Sequence, residues 1–565
     1  MAPAVAALLV LVIRYALYGI ELLALVLLVR STWCTGRFAR VERTFGRLAR
    51  RRRLAVLATG LAALAGRAVL LPVLPVRQPV ITDENSYLLA ADTFASGRLT
   101  NPTHPLWTRF ETIHVIQQPT YASMYHVAQG LILGAGKIVV GHPWAGVWAS
   151  VVVMCALFCW MLQGWLPPGW ALLGGLIGVL RLGLFGYWIN SYWGGAAPAI
   201  GGLLVLGATP RLMRRPRARY ALLMALGMAI LANSRPYEGS VLSFAVVAWM
   251  AAWLLRQPRP LALAARLLVP MALVLVPCGG AMSYYYWRVT GNPLRMPYQA
   301  DRDQYAPAGI FLWERPRAIP AYRHASMRDF YVGWELEKFL EAKTPSGLAR
   351  NSAGKAVAFW MFYLGPALTL PLVFGRRLFR DRRVRPLVAI GAVFVGGLLL
   401  DTWFYAHYAA PIVGLVYALV LQGMRHLHAG GPRGEAAVRW VVVVCVAMAA
   451  LRAVGQPLAF YMPPDWPMTW YYTRPGNTGR ARIQTQLQHE PGRHLVLVRY
   501  RPGHNAFEEW VYNEASIDAA PVVWAREMDP ARNRELLDYF KDRRAWLVEA
   551  DSVPPAVVPY PDGTK

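Results

Sequence analysis

Two adjacent acids, Asp83 and Glu84, open the segment Ile81-Thr82-Asp83-Glu84-Asn85-Ser86-Tyr87, which follows an apolar run directly. Thr82 is of a type that caps helix N-termini, both acids fall in the first turn and Gly97 supplies a stop, so residues 83–96 are expected to form a helix. At about 100° per residue, Asp83 and Tyr87 then share a face while Glu84 points away from it. The helix dipole and the free N–H groups hold a first-turn carboxylate ionised, the state that a general base requires. Acids in a first turn are also common as simple caps. What sets this pair apart is its place, where an apolar span meets a long polar loop.

Two more groups stand at comparable junctions. Arg235, in Asn233-Ser234-Arg235-Pro236-Tyr237-Glu238-Gly239, joins two apolar runs; it either pairs with Glu238 to fix a tight turn or meets an external anion. His407 and Tyr408 lie in Asp401-Thr402-Trp403-Phe404-Tyr405-Ala406-His407-Tyr408, where an interfacial aromatic belt accounts for Trp403 to Tyr405 better than for the histidine. His104, Arg109, Glu111 and His114 are polar residues of the first long loop, and no spacing assigns them a role. There is no Walker loop, no HExxH and no CxxC pair. Cys34, Cys155, Cys159, Cys278 and Cys445 all fall in expected spans or the first basic loop, which leaves no disulfide framework. Cys155 and Cys159 share a helix face without His or acidic company and read as small apolar side chains.

The elements that carry these groups follow from composition. Of 565 residues 56% are hydrophobic and 16% charged, with a formal net charge of +28. A nucleic-acid binder with that excess would be richer in charge, and a disordered basic chain would lack the 22 Trp, 27 Tyr and 19 Phe, so both classes are excluded. Twelve apolar runs are long enough to be membrane spans, at about 4–29, 54–75, 144–163, 168–188, 195–212, 220–233, 239–256, 261–284, 354–375, 384–402, 409–425 and 438–455. Every second connection is rich in arginine, and five such loops hold most of the excess charge. By the positive-inside rule these loops are cytoplasmic. Both termini and the segments 76–143, 285–353 and 456–565 are then expected outside the cytoplasmic (inner) membrane.

The fold class expected is mainly α: a polytopic bundle of about twelve transmembrane helices. Interfacial helices lie in the first outer loop, and a small extracytoplasmic α/β domain closes the chain. The domains read as 1–53, an N-terminal span and basic loop; 54–456, the transmembrane core; and 457–565, the α/β domain. The first run lacks a basic leader and a cleavage site and is read as a retained span. Within it Arg14 and Glu21 lie seven apart on one face and are candidates to pair. Val127 to Gly141 reads as an interfacial or re-entrant helix. After Tyr461-Met462-Pro463-Pro464-Asp465-Trp466 the composition changes. Strands are expected at His494–Tyr500, Pro521–Ala525 and Arg544–Glu549, and helices at Asn505–Tyr512 and Asp529–Phe540. Their alternation implies a parallel-type layer, for acceptor recognition, a lid role or stability alone.

The chain resembles the C-type membrane glycosyltransferases, in the branch of protein O-mannosyltransferases and aminoarabinose lipid A transferases. Asp83-Glu84 with Tyr87 after an early span, Gln117-Gln118-Pro119-Thr120-Tyr121, and Gly141-His142-Pro143-Trp144-Ala145 before the next span carry the resemblance. It implies a sugar donor on a polyprenyl phosphate, a lipid, glycan or protein acceptor, transfer with inversion, Asp83 as catalytic base and Glu84 as a supporting acid or metal contact. Tyr87, Gln117, Gln118, Arg235, Glu238, His407 and Tyr408 are then candidates to bind donor or acceptor, with Arg235 facing the lipid phosphate. Two departures leave a divalent metal an open question. Gln117 and Gln118 stand where the aminoarabinose branch has an acidic-basic pair, and Tyr187-Trp188-Ile189-Asn190-Ser191-Tyr192-Trp193-Gly194-Gly195 contains no acid. A twelve-span secondary transporter and an inactive scaffold of the same fold are the rival readings. The transporter predicts internal repeats and midplane polar sites, whereas here no repeat is visible and the polar clusters fall at helix ends.

Overall fold

The computed structural model describes residues 3–29, 38–455, 469–471 and 476–561. Cys34 and the Tyr461–Trp466 junction lie outside the described residues. Among the described residues eight helices are long and apolar enough to cross a membrane, and each matches an expected span. Of the other four expected spans, the first is helix Pro3–Val29, and three correspond to shorter apolar helices, at Pro168–Gly183, Ala218–Ala232 and Arg385–Leu400. A further short apolar helix, Val127–Val140, is the one expected at the interface. The count of twelve spans therefore remains a proposal.

Helix Ala196–Arg214 forms the centre of the bundle, buried along most of its length. Glycines let its neighbours approach: a Cβ on Gly202 would lie 1.8 Å from the Pro411 carbonyl oxygen, and one on Gly227 would lie 2.7 Å from that of Gly201. Helix Pro260–Thr290 is the opposite case, with Leu261, Leu268, Leu273 and Val276 exposed. Its 31 residues reach roughly 46 Å, well beyond a hydrocarbon core of about 30 Å. The far end, with Tyr285 and Val289, thus extends past the bundle and packs on Ile116, Ala122 and Met124 of the first long loop.

The Arg14 side chain lies outside the described residues, so the described contacts are those of Glu21. Its carboxylate, wholly buried, forms an ion pair with Arg181, 160 residues away, and accepts the Ala367 N–H at 3.0 Å. Arg181 stands in a π-helical turn, Val179–Gly183, and its guanidinium lies 4.7 Å from the Trp470 ring centroid. Inside a bundle a buried acid can be met by a cation that tertiary packing brings from far along the chain.

At the loop-rich end of the bundle, helix Thr82–Ala95 packs on Val127–Val140, with Gly130 against Ala90. Three short strands, β1 (Asn101–Pro102), β2 (Val115–Ile116) and β3 (Thr120–Ser123), form an antiparallel sheet with β3 in the middle. The C-terminal region adds β4 (Arg493–Arg499), β5 (Val522–Arg526), β6 (Arg543–Glu549) and β7 (Ala556–Pro559), in the order β5-β4-β6-β7. The first three are parallel and β7 is antiparallel to β6. Helix Pro530–Tyr539 forms behind its N-cap Asp529, close to expectation, while Thr478–His489 is a helix that the pattern did not reveal. The helix expected at Asn505–Tyr512 is absent. Glu509 Oε1 there accepts the N–H groups of Trp510 (3.0 Å) and Val511 (2.8 Å), and Asn505 Oδ1 accepts that of Phe507, so side chains capture donors that a helix would use.

The C-terminal sheet shares a core with the first loop: Leu495, Leu497, Val523 and Leu547 pack with Leu89, Phe110 and Tyr121. Polar ties reinforce it. Arg526, buried, donates to the Glu111 carbonyl (2.8 Å), Ser326 Oγ (3.1 Å) and Glu509 (2.5 Å). Arg109 pairs with Glu535, and His104 Nε2 lies 3.1 Å from Asp518. These loop residues therefore hold the C-terminal domain down.

Candidate active site

Helix Thr82–Ala95 begins one residue earlier than expected, with Ile81 as N-cap. Thr82 consequently turns its hydroxyl to His114, with Oγ1 3.1 Å from Nδ1. Glu84 Oε2 accepts the N–H groups of Val80 (3.0 Å) and Ile81 (3.4 Å), and Oε1 accepts that of Tyr192 (3.0 Å). Burial pushes this carboxyl above the usual range despite the three donors. Glu84, expected beside Asp83 as a supporting acid or metal contact, thus has both oxygens committed to backbone and clamps the helix start to the bundle.

Asp83 is differently placed. Its Oδ1 accepts a hydrogen bond from the Tyr125 hydroxyl, Oδ2 lies 3.7 Å from His114 Nδ1, and the side chain keeps 18% of its surface exposed. One turn on, Tyr87 stacks on the same Tyr125, with centroids 4.5 Å apart and planes 17° from parallel. Asp83 and Tyr87 therefore share the face that the helical spacing gave them.

His114 is the only non-glycine residue with a left-handed backbone among the described residues, at φ 66°. Its carbonyl accepts from Ser86 Oγ (2.7 Å), and its ring meets Phe330 edge to face at 5.3 Å. Burial lowers its pKa and the nearby Asp83 only partly offsets this, so the ring is neutral near pH 7. A strained backbone that delivers a neutral imidazole to a carboxylate marks a positioning residue. His114→Asn, which tolerates the left-handed backbone, is expected to lower kcat for the reaction proposed below by about tenfold with KM unchanged. Wild-type kcat in steady-state assays would refute the assignment.

A second cluster faces the first. Arg235 caps helix Pro236–Leu254, its guanidinium lies 3.7 Å from the Tyr408 ring centroid and its Nη1 is 3.6 Å from Glu238. Burial opposes the charge on Arg235, but the pull of Tyr408, Glu238 and Tyr87 outweighs it and keeps the group cationic. His407 is buried at 2% exposure, with Nδ1 2.7 Å from the Tyr187 hydroxyl. Burial and then Arg235 lower its pKa well below the ordinary value. Tyr87 is within electrostatic reach of both Arg235 and Asp83, and Tyr405 of Asp83.

Asp83, Tyr87, Arg235, Glu238, His407 and Tyr408 thus converge at the loop-rich end. Gln117 and Gln118 do not join them. Gln117 is wholly buried and donates to the Phe110 carbonyl at 2.8 Å, and Gln118 is exposed at the hairpin turn. Tyr125 escaped the sequence reading, and His114 and Tyr405 were named there without a role in this cluster. Tyr125 and His114 flank the β2–β3 hairpin, and no local spacing links them to Asp83.

From Tyr405 a cleft of about 600 Å³ runs between Trp334, Trp403, Lys355 and Met361, with Lys338 and Arg350 also lining it. Among the described residues no three His, Cys, Asp or Glu side chains converge as metal ligands. Asp83 and His114 are two donors, and Glu84 is committed elsewhere. These residues do not fit a resident metal ion, and no step below is routed through one.

No family model and no curated protein matches the chain. Among solved structures it is similar to the oligosaccharyltransferase of Archaeoglobus fulgidus in the apo form, at TM-score 0.49 and 11% identity over 88% of this chain and 69% of that one. It is also similar to ArnT from Cupriavidus metallidurans bound to undecaprenyl phosphate, at TM-score 0.47 and 13% identity over 87% of this chain and 92% of that one.

Proposed function

We propose that the chain is a membrane glycosyltransferase that moves a sugar from a polyprenyl-phosphate donor to an acceptor hydroxyl at the outer face of the cytoplasmic membrane. The observation that carries this reading is the convergence of a partly exposed carboxylate, Asp83, and a fixed cation, Arg235, through Tyr87. Asp83 takes the acceptor proton as the hydroxyl oxygen attacks the anomeric carbon. The bond from that carbon to the phosphate oxygen breaks, its electron pair leaves with the lipid phosphate, and Arg235 meets the charge. Attack opposite the leaving group inverts the anomeric centre. The cleft beginning at Tyr405 suits the lipid part of the donor, because its aromatic and aliphatic walls take a polyprenyl chain.

Incubating membranes that contain the protein with a panel of radiolabelled polyprenyl-phosphate sugars tests the reading. Label should move to an endogenous acceptor with at least one donor, and no transfer from any donor would overturn it. Arg235→Gln is expected to lower transfer by about a hundredfold. Glu238 would lose its counter-charge in that variant, so Arg235→Gln/Glu238→Gln should be equally inactive but regain wild-type thermal stability. Recovered transfer in the double variant would reduce Arg235 to a structural partner of Glu238.

A further inference from the structure

The parallel part of the C-terminal sheet has a topological switch point. The chain leaves β4 toward β5 on one side, and leaves β6 toward β7 on the other. In open α/β sheets the crevice between the carboxyl ends of two such strands is where ligands bind. The segments that follow β4 and β6 here enclose a cavity of about 680 Å³, lined by His504 and Asn505 from one and Asp551 to Pro555 from the other. Its remaining walls are the start of helix Thr478–His489, with Asn477 and Arg482, and Val80 of the bundle.

The polar lining is preorganised. Asp551 Oδ1 lies 2.7 Å from His504 Nδ1, and Oδ2 accepts the Arg501 N–H at 2.8 Å. His504 stacks on Tyr500, with ring centroids 4.0 Å apart, and its side chain is 6% exposed. With Nδ1 turned to the carboxylate, Nε2 has no partner among the described residues and is left for a ligand. The lining mixes signs, Arg482 against Glu508 and Asp551, so a strongly charged ligand would meet repulsion whichever its charge. An uncharged polyhydroxyl compound suits both donors and acceptors, and Trp510, Pro554 and Pro555 offer apolar surface to its C–H faces.

We infer that this cavity is a carbohydrate-binding site for an uncharged oligosaccharide. On the glycosyl-transfer reading, and only for this role, that oligosaccharide is part of the acceptor. The placement suits it. A Cβ on Gly476 would lie 1.9 Å from the Gln78 carbonyl oxygen, and Asn477 N–H donates to Pro79 at 3.2 Å, so the cavity wall is fastened to the segment that leads into the Asp83 helix. From Val80 to Asp83 the backbone spans at most about 11 Å. A saccharide of a few units held in the cavity can therefore present its end toward the base.

The full-length protein in detergent, titrated with fluorescently labelled mannotriose, cellotriose and chitotriose, tests the inference by fluorescence anisotropy. Saturable binding of at least one trisaccharide is expected, weakened about tenfold or more by His504→Ala and by the exposed Arg482→Ala, and unchanged by Asp83→Asn. Absence of saturable binding, binding that survives both substitutions, or preference for a sulfated trisaccharide overturns it. Trisaccharide binding without transfer from any polyprenyl-phosphate donor keeps the site and removes the proposed function; transfer without trisaccharide binding does the reverse.

Discussion

Asp83→Asn is expected to lower sugar transfer by about a thousandfold while the protein is made and folds as the wild type does. The amide keeps the shape of the carboxylate and still offers Oδ1 to the Tyr125 hydroxyl, so the stack of Tyr87 on Tyr125 survives. What disappears is the capacity to accept a proton. Transfer from a labelled donor, measured beside a thermal unfolding midpoint, separates chemistry from folding. Retained transfer with an unchanged midpoint would remove Asp83 from the mechanism. Glu84→Gln is the informative contrast: an amide nitrogen facing backbone donors disrupts the clamp, so the midpoint should fall along with activity.

Glu21→Ala should cost roughly 3–5 kcal/mol, the range for removing one member of a buried ion pair. Both partners are buried, and the substitution leaves the Arg181 guanidinium without its counter-charge beside Trp470. Replacing both, as Glu21→Leu/Arg181→Met, should recover most of the loss, because two apolar side chains need no partner. Thermal unfolding in detergent would show a large drop for Glu21→Ala and a near-native midpoint for the double variant. If Glu21→Ala alone unfolds as the wild type does, the pair is not what fixes the first helix to the bundle.

The start of the Asp83 helix was legible because its signals are local: two acids in a first turn, a glycine stop and the end of an apolar run. Arg235 stood out for a different reason, as a cation at a junction where the charge bias of the loops would not put one, and the fold brings it to Asp83 through Tyr87. Gln117 illustrates the limit of motif position, since the β2–β3 hairpin turns its amide to the Phe110 carbonyl and away from the cluster. Tyr125 and His114 were hidden because only the chain's return through β2 and β3 sets them against the helix. Inside the bundle, Arg181 reaches Glu21 from far along the chain, a contact that spacing on one helix does not reveal. In the C-terminal domain the strands were readable from their apolar runs. The false helix at 505–512 came from overlooking that Asn505 and Glu509 can satisfy nearby backbone N–H groups themselves.

The separation of Glu21 from Arg181 also has a consequence for biogenesis. Ribosomes add about 5–20 residues per second, so the 160 residues between the two correspond to roughly 8–32 s during which the first helix is made and its acid has no Arg181 to meet. Over that interval Glu21 must be hydrated or sheltered by the insertion machinery, and the first helix cannot settle against the bundle. Its final seating is therefore a late event in assembly, although it is synthesised 160 residues ahead of its partner.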